Sequence, residues 1–410
     1  MRIVLGLVLS MATLFADGIA RDEYRTRRAD LRKSLDGLMV LFGANEPEDL
    51  HVSFFQETNF LYLSGWREPG AVMMLTKGEE ILFLPERNAR TEIFTGRKLG
   101  ADDKDAPERT GFDKVLPYSA IETTFIRLLE GSNRLYTTAS DPRSQRLAPL
   151  AAFHEQTPAG PIIAKKRMMK SPAEIELITK ATDATVAAHL TAWKKMKPGL
   201  YEYQISAVMT DTYFEHGCER SAYAPIVGSG PNSTVLHYMA NRRRMDAGEV
   251  VVMDVGAECS DYATDVTRTV PANGKFSARQ REIYEIVLGA QKAAIAAIKP
   301  GVRVRGDVSL QQIAFDYINT HGKDLHGEQL GKYFTHGLSH HVGLDVHDAN
   351  DPAAALKAGM VITIEPGIYI PEENIGVRIE DTVLVTEDGA KNLSAALPRD
   401  VDEIEKLVGK

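Results

Sequence analysis

The sequence predicts two domains in tandem: an α/β amino-terminal unit, then an α+β unit made of two related halves about a pseudo-twofold axis. Three observations carry this reading. Helix-like and strand-like segments alternate from Asp22 to about His154, and the stretch QTPAGPIIAKKRMMK then breaks the pattern ahead of a strong helix start. Beyond that point two phrases recur in the same order, the mark of a duplicated unit. With 410 residues and 44% hydrophobic content, the chain can build about two cores.

The chain opens with Met1 and Arg2, the uncharged run IVLGLVLSMATLFA, and Asp17, Gly18, Ile19 and Ala20. A basic start, an apolar segment too short to span comfortably as a permanent helix, and small residues at Gly18 and Ala20 form the pattern of a secretory signal cleaved after Ala20. The expectation is an exported chain, periplasmic or secreted, with no stable membrane insertion after processing. A formal net charge of -8 argues against a constitutive nucleic-acid or anionic-membrane partner, and Arg242, Arg243 and Arg244 read as a solvated turn. The two cysteines, Cys218 and Cys259, lie too far apart for a small zinc knuckle; pairing or burial as thiols stays open.

In the first unit, EYRTRRADLRKSL has the spacing of an amphipathic helix, GLMVLFGA that of a strand, and AVMMLTKGEEILFLP that of a hairpin turning at Lys77 and Gly78. IETTFIRLLEG then reads as a helix and RLYTT as a strand. No catalytic cluster is evident here, which suits a lid or an assembly module. Pro158, Pro161 and Gly160 suggest a linker, after which Ser171, Pro172 and Glu174 supply a capping serine, a proline at the first helical position and a glutamate at the third. The expected divisions are a signal over 1–20, a first domain over 21–160 and a second over 167–410.

Inside the second unit, HLTAWKKM ends in Lys197-Pro198-Gly199 and AQKAAIAAI in Lys299-Pro300-Gly301. Farther on, AGEVVVMDVG at Ala247 is matched by AGMVITIEPG at Ala358, and each copy carries an acid six positions after its first glycine, Asp254 and Glu365. Each half adds a second acid. Asp265 follows a turn expected to centre on Cys259 and Ser260, which would make Asp254 and Asp265 cross-strand neighbours. In GVRIEDTVLV, Arg378 and Glu380 share one face, so that Arg378 can orient a carboxylate. Between the halves lies HGLSHHVGLDVHD, with His336, His340 and His347. Its resemblance to a zinc-binding HExxH helix fails, because Gly337 stands where a glutamate is required and Gly343 disfavours a long helix.

A buried, unpaired carboxylate is costly, so four acids and a histidine among apolar strands point to a metal site. The oxygen-rich set carries too much negative charge for one ion and suits a carboxylate-bridged pair of divalent cations. The loop GSGPNS has Pro231 and no Walker lysine, so it reads as the segment presenting His237 rather than a phosphate cradle.

DVGAECSDYATDVTRT, HGLSHHVGLDVHD, ITIEPG and VRIEDT resemble the successive motifs of the pita-bread metallopeptidases (peptidase family M24), the family of methionine aminopeptidase, prolidase and Xaa-Pro aminopeptidase (aminopeptidase P). FFQETNFLYLSGWREPGAVMML and ERNARTEIFTGRKLGADDKDAPERTGFDKVLPY are similar to the amino-terminal domain of the aminopeptidase P branch, which methionine aminopeptidases lack. The resemblance implies the pita-bread fold and a hydrolase that removes the first residue from peptides with proline second. It implies that Asp254, Asp265, His340, Glu365 and Glu380 hold two divalent ions, usually manganese with cobalt or zinc as alternatives, Asp265 and Glu380 bridging them around a hydroxide nucleophile. His237 and His347 would contact substrate, His336 and Tyr369 would line the proline side of the cleft, and Glu365 would transfer a proton with support from Arg378. Relatives form dimers or tetramers, so a homo-oligomer is expected. The rival activity is that of prolidase on Xaa-Pro dipeptides, and a remoter one is non-catalytic peptide binding. The fifteen positions from Glu365 to Glu380 are short for the aminopeptidase P branch.

Overall fold

Six strands of the first domain pair in one mixed sheet, in the order Lys114–Pro117, Glu80–Leu84, Val72–Leu75, Leu38–Phe42, Arg134–Thr137, Glu155–Pro158. The structure is a computed structural model and describes residues 18–49, 51, 53–138 and 141–410. The apolar run expected to act as an export signal lies outside the described residues. Strand Leu38–Phe42 is buried throughout because both faces are covered. Met39 and Leu41 pack with Leu31 of helix Arg21–Lys33, and Leu38, Val40 and Phe42 with Phe125 of helix Ile121–Leu129. The hairpin forms as expected: Leu75 faces Glu80, and Thr76 N–H donates to the Glu79 carbonyl at 2.9 Å, leaving Lys77 and Gly78 at the tip.

The stretch expected to be a linker is ordered instead. Glu155–Pro158 adds the last strand to the sheet, and Gly160–Arg167 is a helix with Pro161 in its first turn, where a missing N–H costs nothing. Its last residue, Arg167, is buried and donates to Thr58 Oγ1 (3.0 Å), Asn59 Oδ1 (2.9 Å) and Asp345 Oδ2 (2.7 Å), and also to Asp348. Lys170 Nζ, also buried, reaches Asp348 at 2.8 Å. These contacts tie the first domain to the loop that carries His347. The capping box at Ser171 is complete in both directions and opens helix Pro172–Lys195.

The duplication is visible in the backbone. Gly199 and Gly301 both sit at φ 92°, and Gly248 and Gly359 at 83° and 88°, a left-handed region that glycine enters without strain. Gly199 N–H donates to Met245 O (2.8 Å) and Gly301 N–H to Leu356 O (2.9 Å), each acceptor two residues before the repeated Ala-Gly. In return Met245 N–H donates to Leu200 O and Leu356 N–H to Val302 O. In the first half the strands Ile226–Ser229, Val250–Val255 and Val266–Pro271 form a sheet with Val250–Val255 in the middle. In the second, Val361–Ile364, Asp381–Val385 and Ala390–Asn392 form another, beside the two-stranded ribbon Gly367–Ile370 with Ile375–Arg378. The four long helices, Pro172–Lys195, Glu202–Glu215, Ala278–Ala296 and Leu310–His321, contribute to one core with these sheets. Cys218 and Cys259 form a disulfide that ties the end of helix Glu202–Glu215 to strand Ala257–Cys259.

The halves are joined by a fully buried ion pair. Arg268 and Asp381, both 0% exposed, meet at 2.7 Å, and the guanidinium also donates to the carbonyls of Glu380, Leu397 and Pro398. Asp381 further accepts from Ser394 Oγ (2.7 Å), Gln291 Nε2 (3.1 Å) and Arg399 Nη1 (3.0 Å). Removing one member of such a set leaves a charge and several carbonyls without partners. Arg268→Ala is therefore expected to lower unfolding stability in urea by about 3 kcal/mol or more. Arg25→Ala, which loses only the exposed pair with Asp113, should lie within about 1 kcal/mol of wild type, and equal losses in the two variants would refute the assignment.

Candidate metal centre

Asp254 is the penultimate residue of Val250–Val255, the central strand of the first-half sheet, where it opposes Thr267. The turn differs from expectation. Cys259 faces Tyr262, so the two tip residues are Ser260 and Asp261, at φ 52° and 71°. Moving the tip by one residue moves each cross-strand partner by two: Asp254 opposes Thr267, and Asp254 and Asp265 are diagonal on the same face rather than directly opposed. Neither tip residue is a glycine, which is why the left-handed turn was not evident from composition. The two acids still meet through a third group. Tyr223 Oη lies 2.5 Å from Asp254 Oδ1 and also contacts Asp265 Oδ1.

The second half supplies Glu380: its Oε2 accepts from Thr267 Oγ1 of the first half at 2.6 Å, while its Oε1 is buried without a hydrogen-bond partner among the described residues. One ligand atom each from Asp265, His340 and Glu380 lies within 4.8 Å of the others. His340 Nε2 stands 3.4 Å from Asp265 Oδ2 and 3.6 Å from Glu365 Oε1. Its Nδ1 lies 3.1 Å from the His341 carbonyl, a bond that needs the proton on Nδ1 and leaves Nε2 as a lone pair facing the acids. An orphaned carboxylate oxygen and a correctly disposed imidazole among acids are what a divalent cation requires, so the residues fit the expected cations. Asp254 and Glu365 flank this core group; Asp254 is held by Tyr223 and Arg378.

Electrostatics agree. Burial and then the charge of Asp254 push the Asp265 carboxyl well above the usual range, and burial with Asp265 and Glu365 does the same to Glu380. Burial raises Glu365 to about 7 despite His340 and Arg378. Asp254 goes the other way: burial raises it, but the Arg378 guanidinium and the Tyr223 hydroxyl outweigh that and keep it low. One ionised aspartate beside acids that resist ionisation is the signature of a pocket short of positive charge.

The auxiliary residues surround a cleft of about 510 Å³ lined by Tyr223, His237, Arg305, His336, His347 and the acids. The rings of His340 and His347 are 4.2 Å apart, and His237 is exposed at the rim. Tyr369 stands a layer back from its expected place on the wall: its hydroxyl receives Arg378 Nη1 (2.8 Å) and lies 2.9 Å from His336 Nε2. His336 Nδ1 is 2.9 Å from the Gly337 carbonyl, so Nδ1 carries the proton and Tyr369 donates to Nε2. Burial, then Arg378, lowers His336 to about 4, keeping it neutral. Arg378 was expected to support Glu365; its hydrogen bonds go instead to Asp254, Tyr369, Thr267 and the Leu236 carbonyl, and it acts on Glu365 only at longer range. Tyr223 and Arg305 were not singled out in the sequence, where SAYAPIV and GVRVRGDV carry no acid or imidazole spacing to flag them.

The sequence profile of metallopeptidase family M24 matches residues 176–387, and that of the aminopeptidase P N-terminal domain matches 24–136. The chain belongs to metallopeptidase family M24. This M24 chain is 34% identical to the Xaa-Pro aminopeptidase of Escherichia coli (strain K12), covering 95% of this chain and 98% of that protein. It is 33% identical to Xaa-Pro aminopeptidase 3 of Homo sapiens, covering 88% and 78%. The structure of the low-pH form of Escherichia coli aminopeptidase P superposes with a TM-score of 0.87 at 32% identity, over 95% of this chain and 98% of that one. The two-domain architecture, an aminopeptidase P amino-terminal domain followed by a pita-bread M24 domain, is shared with the aminopeptidase P structure on which the chain superposes.

A raised folded-state carboxyl pKa stabilises the protein only below the ordinary carboxylate range, and that contribution is lost as pH climbs from about 4 through the raised value. In EDTA, Asp265→Asn should therefore become increasingly more stable than wild type between pH 5 and pH 7.5. Manganese should raise the melting temperature of wild type by at least about 5 °C and leave the variant nearly unmoved. A variant less stable than wild type at pH 7.5 in EDTA would contradict the charge crowding.

Proposed function

We propose that this M24 metallopeptidase is an Xaa-Pro aminopeptidase. The reading rests above all on the convergence of Asp265, His340 and Glu380, flanked by Asp254 and Glu365, on one cleft. The relatives named Xaa-Pro aminopeptidase match across both domains, which supports the proline specificity. Asp254, Asp265, His340, Glu365 and Glu380 would hold two divalent ions, manganese in this reading. Bound there, the cations would supply Lewis acidity, for the scissile carbonyl and for the acidity of a water near neutrality.

The chain's own residues do the rest. Tyr223 and Arg378 fix Asp254, so a ligand carboxylate is oriented before any cation arrives. His347, packed on His340, and His237 at the rim donate to the carbonyl of the residue before proline. Glu365, within 3.6 Å of both His336 Nδ1 and His340 Nε2, accepts the proton of the attacking water and delivers it to the proline nitrogen as the bond breaks. His336, locked neutral between Tyr369 and Gly337, presents an uncharged wall to the pyrrolidine ring.

Incubated with manganese, the protein is expected to release the first residue of an Xaa-Pro-Xaa tripeptide; cleavage of the Xaa-Pro dipeptide alone, read by chromatography, would reassign it as a prolidase. EDTA should abolish turnover and manganese restore it. Absence of any proline-peptide cleavage with manganese, cobalt or zinc would favour peptide binding without catalysis.

Export belongs to the same proposal. The Met1 to Ala20 pattern supports it, and so does the Cys218–Cys259 disulfide, which persists most readily in an oxidising compartment. Amino-terminal sequencing of the native protein should find Arg21 first, in the periplasmic or culture fraction; an intact Met1 in the cytosolic fraction would count against it.

A further inference from the structure

Two arginines reach the cleft, and their circumstances are opposite. Arg378 is buried and committed to Asp254 and Tyr369. Arg305 is exposed, lines the cleft, and its guanidinium makes no hydrogen bond or ion pair among the described residues. In a chain where cationic side chains commonly find a carboxylate, a free guanidinium facing a substrate cleft is a group without a structural task.

Nor is Arg305 on a floppy excursion. Its loop is closed by a bridge between Arg303 and Ser309, with Leu310 N–H donating to Arg303 O and Gln311 N–H to Val304 O, both at 3.1 Å. Ser309 Oγ adds a 2.7 Å bond to the Gly306 carbonyl, and the entry to the loop is pinned by Gly301 and Val302 against Leu356. Gln311 Oε1, just beyond the loop, accepts from Leu338 N–H at 2.6 Å and so fixes the Arg305 loop against the segment bearing His336. Gly337 makes the approach possible. A Cβ at that position would stand 2.8 Å from Arg305 Nη2, so the absent side chain leaves room for the guanidinium beside His336.

The cleft thus has an acidic floor at Asp254, Asp265, Glu365 and Glu380 and one uncommitted positive charge, Arg305, on its wall. A short peptide carries an ammonium at one end and a carboxylate at the other. Its carboxylate is attracted to Arg305 and its ammonium repelled from it, which orients the chain with its carboxy terminus along the Gly337 wall. A guanidinium also matches a carboxylate in geometry, offering two parallel N–H donors.

We propose that Arg305 receives the free carboxy-terminal carboxylate of a short peptide substrate and so sets the preferred peptide length. This inference rests on the reading of the site as an Xaa-Pro aminopeptidase. The experiment compares wild type, Arg305→Ala and Arg305→Lys on Ala-Pro-Ala and on its carboxy-terminal amide, with manganese present. Wild type should show a KM about tenfold lower for the acid than for the amide, as expected for one charge-assisted contact at a partly solvated site. Arg305→Ala should bring the acid-to-amide KM ratio close to one, and Arg305→Lys should restore part of the difference. A ratio unchanged in Arg305→Ala, or a wild-type enzyme indifferent to amidation, would overturn the proposal. Calorimetric binding of Pro-Ala and Pro-Ala amide is the second readout and does not need turnover. If wild type cleaves neither tripeptide, the aminopeptidase reading fails by itself. Arg305 is then judged by whether Arg305→Ala loses the preference for the Pro-Ala acid; an equal affinity of wild type for acid and amide sinks the inference as well.

Discussion

Everything in the second domain answers to one constraint: four carboxylates share a buried pocket whose like charges repel at close range. Burial makes each harder to ionise, and the charge of Asp254 makes Asp265 harder still. Among the described residues, a guanidinium pairs directly with one of them. Arg378 and the Tyr223 hydroxyl stabilise the charge on Asp254, while Glu380 keeps an oxygen with no partner. The remaining demand for positive charge is directional, because His340 turns a lone pair toward the same spot. A pocket of this kind is stable with divalent cations and frustrated without them, which links cation affinity to folding.

The duplicated architecture is how two strands, from two halves, bring acids to one place. Each half ends a helix in Lys-Pro-Gly and begins its acid-bearing strand after Ala-Gly, and the two sites are stitched by the same pair of backbone bonds, Gly199 with Met245 and Gly301 with Leu356. A repeated local geometry means the strands leave their anchors in equivalent directions, so Asp254 and Glu365 converge across the pseudo-twofold. The seam is then secured by Arg268, whose bonds to the Glu380 carbonyl and the Asp381 carboxylate run directly beside a candidate metal ligand. Rigidity there is useful, since a ligand set off by an ångström binds a different ion or none.

Much of this was legible in the residues. Strand periodicity, the capping box at Ser171 and the paired Ala-Gly phrases are local signals, and local signals survive translation into structure. What escaped was decided by tertiary contacts. The turn at Ser260 and Asp261 takes left-handed backbone without a glycine, helped by Asp261 accepting from Arg67 of the first domain at 2.6 Å, so the hairpin tip lies one residue beyond its expected place and Asp254 pairs two residues farther along the opposite strand. The presumed linker 160–167 became a helix because Ile163 and Arg167 find burial against other elements, which no composition rule anticipates. Tyr223 became the bridge between two aspartates through the close approach of strands remote in sequence. Alternation placed Arg378 on the face where it orients a carboxylate, Asp254, while Glu365, the partner the resemblance implied, lies at longer range because alternation gives the face of a strand and not what lies across from it.

The ties at Arg167 give the first domain a meaning beyond a lid. Arg167 and Lys170 grip Asp348, and Arg167 with Thr58 grips Asp345, so the segment on either side of His347 is held by Thr58 of the first domain together with two cations at the very start of the second. Position of that imidazole is therefore a property of the whole polypeptide. The two parts are therefore not freely exchangeable modules: removing the amino-terminal unit takes Thr58 from Asp345 and leaves Arg167 without Thr58 and Asn59, which loosens the tether of the loop that carries His347.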